Sequence, residues 1–223
     1  LPFADCGAFF PGWEASPPDA KALWRLVDEL CRDDPHLAAA RFVDHLEASR
    51  YFRRHGGREG MQFHAPGAAH RRGRFRATEQ AQAAMGCKPY SNFNLVGAAQ
   101  VGKSSLTGMR VLHRLDGRLP VWPFDPVPAH GSVVVEIYTA IAAMAGGRAP
   151  GRSKMKTVAE LNAALAGIGS PPVPGNGPID DHSADALLTA AWLRTAADRE
   201  ALWHPREMSR AVATTEGGTV GVR

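Results

Sequence analysis

Hydrophobic residues recur at helical spacing along several stretches of the chain. The first stretch predicts a helix that Ser16 caps, that Pro17 opens and that Asp33-Asp34-Pro35 ends. Its buried stripe consists of Leu23, Leu26, Val27, Leu30 and Cys31. Similar patterns predict helices over residues 78–85, 104–115 and 139–145, and a capping box of Thr157 and Glu160 predicts another.

Short apolar runs lie between these helices and predict strands. The clearest is Val133-Val134-Val135-Glu136-Ile137-Tyr138, a β-branched run typical of a buried strand. Residues 93–96 and 119–124 read as further strands, the second interrupted by proline. Because strands and helices alternate, the pattern predicts an α/β fold.

A helix near the C-terminus combines an apolar body with acids on its first turns. It reads Asp180-Asp181-His182-Ser183-Ala184-Asp185-Ala186-Leu187-Leu188. Asp181 and Asp185 are four residues apart, and His182 and Asp185 are three apart, so all three project from one side. A divalent metal is one reason for that arrangement. Helix capping and the macrodipole are another, because both favour acids at an N-terminus.

Glu136 is a carboxylate inside the best predicted strand, where it is out of place unless it faces a site or lies near a strand end that reaches solvent. Together with Asp181, His182 and Asp185 it would form an acid cluster for one or two Mg²⁺ or Mn²⁺ ions, which prefer oxygen ligands. Two such ions can stabilise both the attacking water and the leaving oxygen in phosphodiester hydrolysis.

The motif His182-Ser183-Ala184-Asp185-Ala186-Leu187 resembles the last catalytic helix of RuvC-type Holliday-junction resolvases. More of the chain resembles an uncharacterised bacterial family of predicted RNase H-like nucleases. The similar stretches are Leu1-Pro2-Phe3-Ala4, the strand around Glu136, the helix from Asp181 to Asp185 and Thr215-Glu216-Gly217. The resemblance implies an RNase H-like fold, with a mixed central sheet flanked by helices and acids that meet at the edge of the sheet. It also implies a metal-dependent nuclease activity.

The resemblance also implies roles for individual residues. Asp185 matches the final metal-binding acid, Asp181 or His182 would be its helical partner, and Glu136 would be a strand acid. The first acid of the superfamily lies on a strand that we expect upstream of Leu1. Residues 1–223 are therefore expected to be one N-terminally truncated domain, inactive by itself, with a helical and basic insertion over residues 36–92.

A second motif supports a different enzyme class. Gly97-Ala98-Ala99-Gln100-Val101-Gly102-Lys103-Ser104 satisfies the phosphate-loop pattern GxxxxGK[ST]. In such a loop Gly97 and Gly102 let backbone amides surround phosphates, Lys103 neutralises their charge and Ser104 holds magnesium. The alternative to a nuclease is therefore a protein that binds ATP or GTP, and the plain structural alternative is a tight glycine turn.

The charge distribution adds a possible partner. The net charge is only +4, but basic residues are concentrated between Arg50 and Arg76, where only Glu59 opposes them. Such a segment can contact nucleic-acid phosphates, or it can be a solvated basic loop. The arginines predicted to hold nucleic acid are Arg71, Arg72, Arg74 and Arg76. A third functional hypothesis is thus a non-catalytic nucleic-acid-binding or scaffold protein.

Cysteine usage and hydropathy exclude several classes of protein, namely disulfide-rich, zinc-binding and transmembrane proteins. Three cysteines without a CxxC pair argue against a disulfide framework or a zinc site and suit a reducing cytoplasm. No apolar run approaches the ~18 residues needed for a transmembrane helix. The sequence therefore predicts a cytoplasmic protein without a membrane partner, and it gives no oligomeric state.

Overall fold

A computed structural model describes residues 1–64, 73–97 and 100–222. The described residues form eight α-helices: α1 Ala20–Leu30, α2 Ala40–Val43, α3 Ala77–Ala84, α4 Val101–Leu115, α5 Thr139–Ala145, α6 Val158–Gly167, α7 Asp181–Ala196 and α8 Arg210–Thr215. The chain divides into two compact units. Unit 1 consists of Leu1–Gln80, Pro89–Val135 and Glu207–Gly218, and unit 2 consists of Ala81–Lys88, Glu136–Arg206 and Thr219–Arg223.

Helix α1 starts later than its sequence pattern predicts. Its N-cap is Asp19, whose carboxylate accepts a hydrogen bond from the Ala22 amide at 2.8 Å. Ser16 instead accepts a hydrogen bond from the Phe10 amide, so the predicted cap was wrong. The reason is the pair Pro17-Pro18, because a residue that precedes proline is held in an extended conformation. The helix can therefore begin only after the second proline.

The core of unit 1 is aromatic and is closed by the packing of α1 on α4. Phe10 is fully buried, and its ring contacts those of Trp13, Phe42, Tyr51 and Phe93. Edge-to-face pairs of this kind add a modest stabilisation to the burial of their area. The core thus joins the loop before α1 to the segments around α2 and before α4.

A buried arginine also connects α1 to α4. Arg110 of α4 is fully buried, and its Nε donates to Asp28 of α1 at 2.9 Å. The same guanidinium donates to the carbonyl oxygens of Asp34 and Ala38. Burial acts to raise the pKa of Asp28, but hydrogen bonds from Arg114 and Arg110 outweigh it and hold the pKa below its ordinary value. This buried charge is thus paired with one acid and bonded to two carbonyl oxygens, which offsets the cost of its burial.

Another buried acid binds backbone amides from distant parts of unit 1. Glu216 is 3% exposed and follows directly on α8. One of its carboxylate oxygens accepts from the amides of Phe3 and Ala4, and the other accepts from the amide of Ala77 at 2.7 Å. We call this arrangement the Glu216 clamp. It joins the N-terminal segment, the start of α3 and the end of α8 through one side chain.

Unit 2 is built on the mutual packing of α5, α6 and α7. The predicted helix over 139–145 is confirmed as α5, and the capping box of Thr157 and Glu160 is confirmed at the start of α6. Gly146 and Gly167 let the ends of α5 and α6 approach closely, since a Cβ on Gly167 would lie 2.6 Å from the Gly146 carbonyl oxygen. No helix of the described ranges is long and apolar enough to cross a membrane.

The predicted α/β, RNase H-like architecture with a mixed central sheet is wrong. In the described ranges the predicted strands form only isolated bridges, including Val121 with Val134, Glu136 with Thr219 and Arg53 with Asn94. Two prolines flank Val121, and proline has no amide hydrogen to donate to a sheet. The β-branched run at 133–138 therefore finds no neighbour that could extend the pairing into a ladder.

Candidate functional site

The acidic helix predicted from the sequence is present as α7, and its two faces differ. Its N-cap is Asp180, whose carboxylate accepts a hydrogen bond from the Ser183 amide at 2.9 Å. Ala184, Leu188 and Trp192 are buried and hold the helix in unit 2. The acids of the first two turns lie beside this apolar stripe. The local sequence therefore fixes both the start of α7 and the side on which its carboxylates project.

Asp185 is the most strongly perturbed acid of this helix. Its side chain is partly buried and forms a hydrogen bond with the hydroxyl of Thr139, the first residue of α5. Burial raises the pKa of Asp185, and the nearby negative charge of Asp181 raises it further. The Thr139 hydrogen bond and the charges of Lys154 and His182 oppose this increase without cancelling it. Unit 2 thus holds a carboxylate where its ionised form is unfavourable.

Lys154 is the cation of this cluster. Its ammonium is exposed and directly contacts the Asp181 carboxylate. The hydrogen bond with Asp181, then the charges of Asp181 and Asp185, raise the pKa of Lys154. The buried side chain of Met155 anchors the chain next to this lysine. We call Asp181, Asp185, Lys154 and Thr139 the α7 acid cluster.

Sequence reasoning missed two members of the α7 acid cluster. Lys154 follows a basic turn and Thr139 looks like an ordinary first residue of a helix, so neither carries a motif. The only available signal was indirect, because a pair of carboxylates on one helix face requires a cation nearby. His182 was predicted as a possible ligand. It is exposed on the first turn of α7, near enough to Asp185 for its charge to affect that pKa.

Glu136 is placed differently from its predicted position in a buried strand. The residue is exposed, and its carboxylate accepts a hydrogen bond from the Thr219 hydroxyl at 3.2 Å. Its carbonyl oxygen accepts from the Val220 amide. In the described ranges no three His, Cys, Asp or Glu side chains converge closely enough to hold a metal ion. The structure therefore does not assemble Glu136 with Asp181, His182 and Asp185 into one ligand set.

The α7 acid cluster still fits a hydrated magnesium ion. Mg²⁺ commonly retains several waters and binds through one or two carboxylates together with substrate phosphates. Asp181 and Asp185 supply two carboxylates one turn apart. Thr189 lies one turn beyond Asp185; it is buried, and its hydroxyl has no hydrogen-bond partner among the described residues. This side of α7 thus carries both unfavourable negative charge and unsatisfied polarity, which a hydrated cation would relieve.

Two of the four arginines predicted to contact nucleic acid, Arg74 and Arg76, have other partners. Arg74 is 1% exposed and pairs with Asp5, while it also donates to the Phe9 carbonyl oxygen at 2.8 Å. Arg76 is 6% exposed and pairs with Glu79. Both guanidiniums therefore support the interior of unit 1 and do not face solvent. The predictions for Arg71 and Arg72 lie outside the described residues.

The phosphate-loop match has a mixed outcome. Lys103 and Ser104 lie exposed on the first turn of α4, as the motif requires. The Gly102 amide donates to the Asn94 carbonyl oxygen at 3.3 Å, and a Cβ on Gly102 would lie 2.3 Å from the Asn92 carbonyl oxygen. This glycine thus permits close backbone packing within unit 1. The loop residues Ala98 and Ala99 lie outside the described residues, and no parallel strand ladder precedes α4 in the described part.

Comparison with known proteins adds no relative. No protein-family model, no curated protein and no solved structure matches the chain. The resemblance to predicted RNase H-like nucleases therefore stays a prediction that rests on the quoted motifs. The candidate site stands on the geometry of the α7 acid cluster.

Proposed function

We propose that the protein is a magnesium-dependent nuclease that hydrolyses phosphodiesters at the α7 acid cluster. The observation that carries the proposal is the pairing of Asp181 with the partly buried Asp185, whose pKa burial raises. A protein gains no stability from an ionised carboxylate in that position. Such a carboxylate is typical of a functional site, where a cation or a substrate restores the balance of charge.

Each residue of the α7 acid cluster would have its own role in hydrolysis. Asp181 and Asp185 would hold the ion, and Thr139 would orient the Asp185 carboxylate through its hydroxyl. Lys154 would leave Asp181 for a substrate phosphate once the carboxylates have another cation. When bound, magnesium would supply Lewis-acid activation of the phosphate and of an attacking water. Glu136, which is hydrogen-bonded to Thr219, is not part of this set.

The test is phosphodiester hydrolysis by the purified chain, with bis(p-nitrophenyl) phosphate and a labelled oligonucleotide as substrates. The RNase H-like resemblance implies an inactive fragment, but the fold it implies is not the one observed, so we expect activity in Mg²⁺ that EDTA abolishes. Asp185→Asn should reduce the rate at least about 100-fold, because it removes a charged ligand while conserving size. Asp198→Asn is the matched control, since Asp198 is an exposed acid in the same unit.

Three results would contradict the proposal. They are cleavage that EDTA leaves unchanged, equal rates for Asp185→Asn and the Asp198→Asn control, and the absence of Mg²⁺-stimulated hydrolysis of either substrate. Calorimetric titration with Mg²⁺ measures metal binding separately from hydrolysis. Asp185→Asn should also lose most of the binding heat.

A further inference from the structure

We infer that a basic hairpin of unit 1, together with Lys103, forms a surface that binds the phosphate backbone of nucleic acid without reading bases. The basic hairpin is residues 50–62. The inference goes beyond the proposed nuclease function, because it concerns a surface of unit 1, and it can be tested without that activity. It replaces Arg74 and Arg76, which are buried, with cations that face solvent.

The backbone of the basic hairpin is fixed by successive cross-chain hydrogen bonds. The amide of Gln62 donates to the Arg50 carbonyl oxygen, that of Gly60 to Phe52 and that of Arg54 to Arg58, at 2.7–3.0 Å. Glycine is required at position 60, because a Cβ there would lie 2.2 Å from the Arg50 carbonyl oxygen. The hairpin therefore presents its turn at a defined place.

The interior side of the hairpin is anchored in the aromatic core. Tyr51 and Phe52 are at most 1% exposed, and their rings contact that of Phe93. Backbone hydrogen bonds also join Arg53 to Phe93 and Leu95. The polar residues of the turn are thus carried on a well-packed support and not on a free loop.

Cations concentrate at the turn of the hairpin and at the start of α4. Lys103 Nζ lies 3.1 Å from His55 Nε2, which joins the two segments. Three acids lie in the same neighbourhood: Glu47, which pairs with Arg50, Asp44, which Arg54 and Arg58 share, and Glu59, which contacts His64. In the described part of the chain, no acid is paired with Arg53 or Lys103. The hairpin and Lys103 therefore carry five permanent cations against three acids, and these cations are Arg50, Arg53, Arg54, Arg58 and Lys103.

The chemistry of these groups favours a polyanion over a single nucleotide. The cations are spread over an open turn and are mostly exposed, whereas a mononucleotide site needs backbone amides directed at one phosphate group. The Gly102 amide already donates to Asn94. The described rings that anchor the hairpin, those of Tyr51, Phe52 and Phe93, are buried, so they offer no stacking platform for bases. Binding should thus depend on phosphates alone and should fall steeply with salt.

The test is fluorescence-anisotropy binding of a labelled mixed-sequence DNA duplex in EDTA, measured over a range of salt concentrations. The variant Arg53→Gln/Arg58→Gln/Lys103→Gln removes three cations. It should lower the magnitude of the slope of log K against log salt by about 2–3, at ~0.7–0.9 per phosphate contact. A second duplex of different sequence should bind equally well.

The control variant is Arg25→Gln/Arg32→Gln/Arg210→Gln, which removes three exposed cations elsewhere in unit 1. It should keep the wild-type slope, so that a change in net charge alone is excluded as the cause. Lys103→Gln alone should lower the magnitude of the slope by about 1. This single variant tests the inference even if the triple variant does not fold.

Equal slopes for the hairpin variant and the control would overturn the inference. It would also be overturned if wild-type protein failed to bind the duplex at low salt, or if ATP alone bound and Lys103→Gln abolished that binding. Failure of the nuclease proposal looks different, because duplex binding in EDTA would persist while hydrolysis of bis(p-nitrophenyl) phosphate would be absent.

Discussion

The Lys154 ammonium contacts the carboxylate of Asp181, so the first acid of α7 has a cation of its own chain as its partner. Lys154 is 74% exposed and Asp181 is 44% exposed, and an ion pair with this exposure contributes little to stability. A divalent ion with two carboxylates can therefore displace the lysine at little cost. This weak pairing fits a residue that exchanges one partner for another during a reaction.

Removing that lysine should strengthen metal binding. In Lys154→Met we expect the Mg²⁺ concentration for half-maximal binding to fall about two- to five-fold, since the competing cation is gone. The hydrolysis rate should fall at the same time, because Lys154 would no longer reach the substrate phosphate. Calorimetric Mg²⁺ titration and steady-state rates check the two effects. Lys156→Met, at a nearby exposed lysine, should change neither, and unchanged Mg²⁺ affinity in Lys154→Met would contradict the competition.

The ionised carboxylate of Asp185 should lower the free energy of unfolding at neutral pH. Its pKa is raised in the folded state, so the folded protein holds this proton to a higher pH than the unfolded chain does. Stability is therefore lost as pH rises through the raised pKa, and no loss remains below the ordinary value of about 3.9. Asp185→Asn should be slightly more stable than wild type at pH 7, by at most about 0.5 kcal/mol because solvent screens the partly exposed carboxylate. The gain should vanish near pH 3.

Thermal unfolding between pH 3 and pH 8 measures this difference. Saturating Mg²⁺ should stabilise the wild type and leave Asp185→Asn unaffected, because a ligand stabilises only the state that binds it. A variant that is less stable than wild type at pH 7 would show that the carboxylate has a structural role.

The ionised carboxylate of Asp28 should instead raise the free energy of unfolding at neutral pH. Hydrogen bonds from Arg114 and Arg110 hold its pKa below the ordinary value. Its stabilisation is therefore present above pH ~4 and is lost as pH falls through the lowered pKa. Asp28→Asn should destabilise unit 1 by about 2 kcal/mol at pH 7, and the gap to wild type should close near pH 2. Urea unfolding across that range tests the sign, with the exposed Asp33→Asn as control. A gap that stays constant with pH would exclude the ion pair as the cause.

Replacing one carboxylate oxygen of the Glu216 clamp should destabilise unit 1. In Glu216→Gln one carboxylate oxygen becomes an NH₂ group, which faces a backbone amide donor instead of accepting from it. We expect a loss of about 2–4 kcal/mol in the free energy of unfolding, since a buried donor is left unsatisfied. Urea denaturation measures the loss, and Glu29→Gln on the exposed side of α1 should be nearly neutral. Equal midpoints for the two variants would show that the clamp carries no stability.

Local signals in the sequence predicted local structure well. The capping box of Thr157 and Glu160 and the apolar run of 139–145 each specify their element within a few residues. The predicted sheet failed because a strand needs a partner, and Pro120 and Pro123 prevent the segment beside Val134 from supplying more than one bridge. β-branched composition describes a strand's own preference and does not describe what is available to pair with it.

In the candidate site, too, local features could be predicted from the sequence and long-range contacts could not. The acids of α7 could be identified because their spacing fixes their common side. Lys154 could not, because it meets Asp181 across 27 positions of sequence. The basic segment was recognised by its composition, but burial separated Arg74 and Arg76 from the exposed hairpin arginines. Composition alone does not distinguish an arginine that supports a core from one that meets solvent.

The Glu216 clamp has a consequence for how the chain folds as it is made. Its carboxylate binds amides that lie 212 and 213 positions earlier, so those bonds form only after nearly all of residues 1–216 have been synthesised. Contacts so distant in sequence are slow to form. Until then the amides of Phe3, Ala4 and Ala77 are without this acceptor, and the N-terminal segment of unit 1 stays open to chaperones and proteases. A ribosome stalled before residue 216 should therefore carry a chain that proteases readily cleave near Phe3 and Ala4.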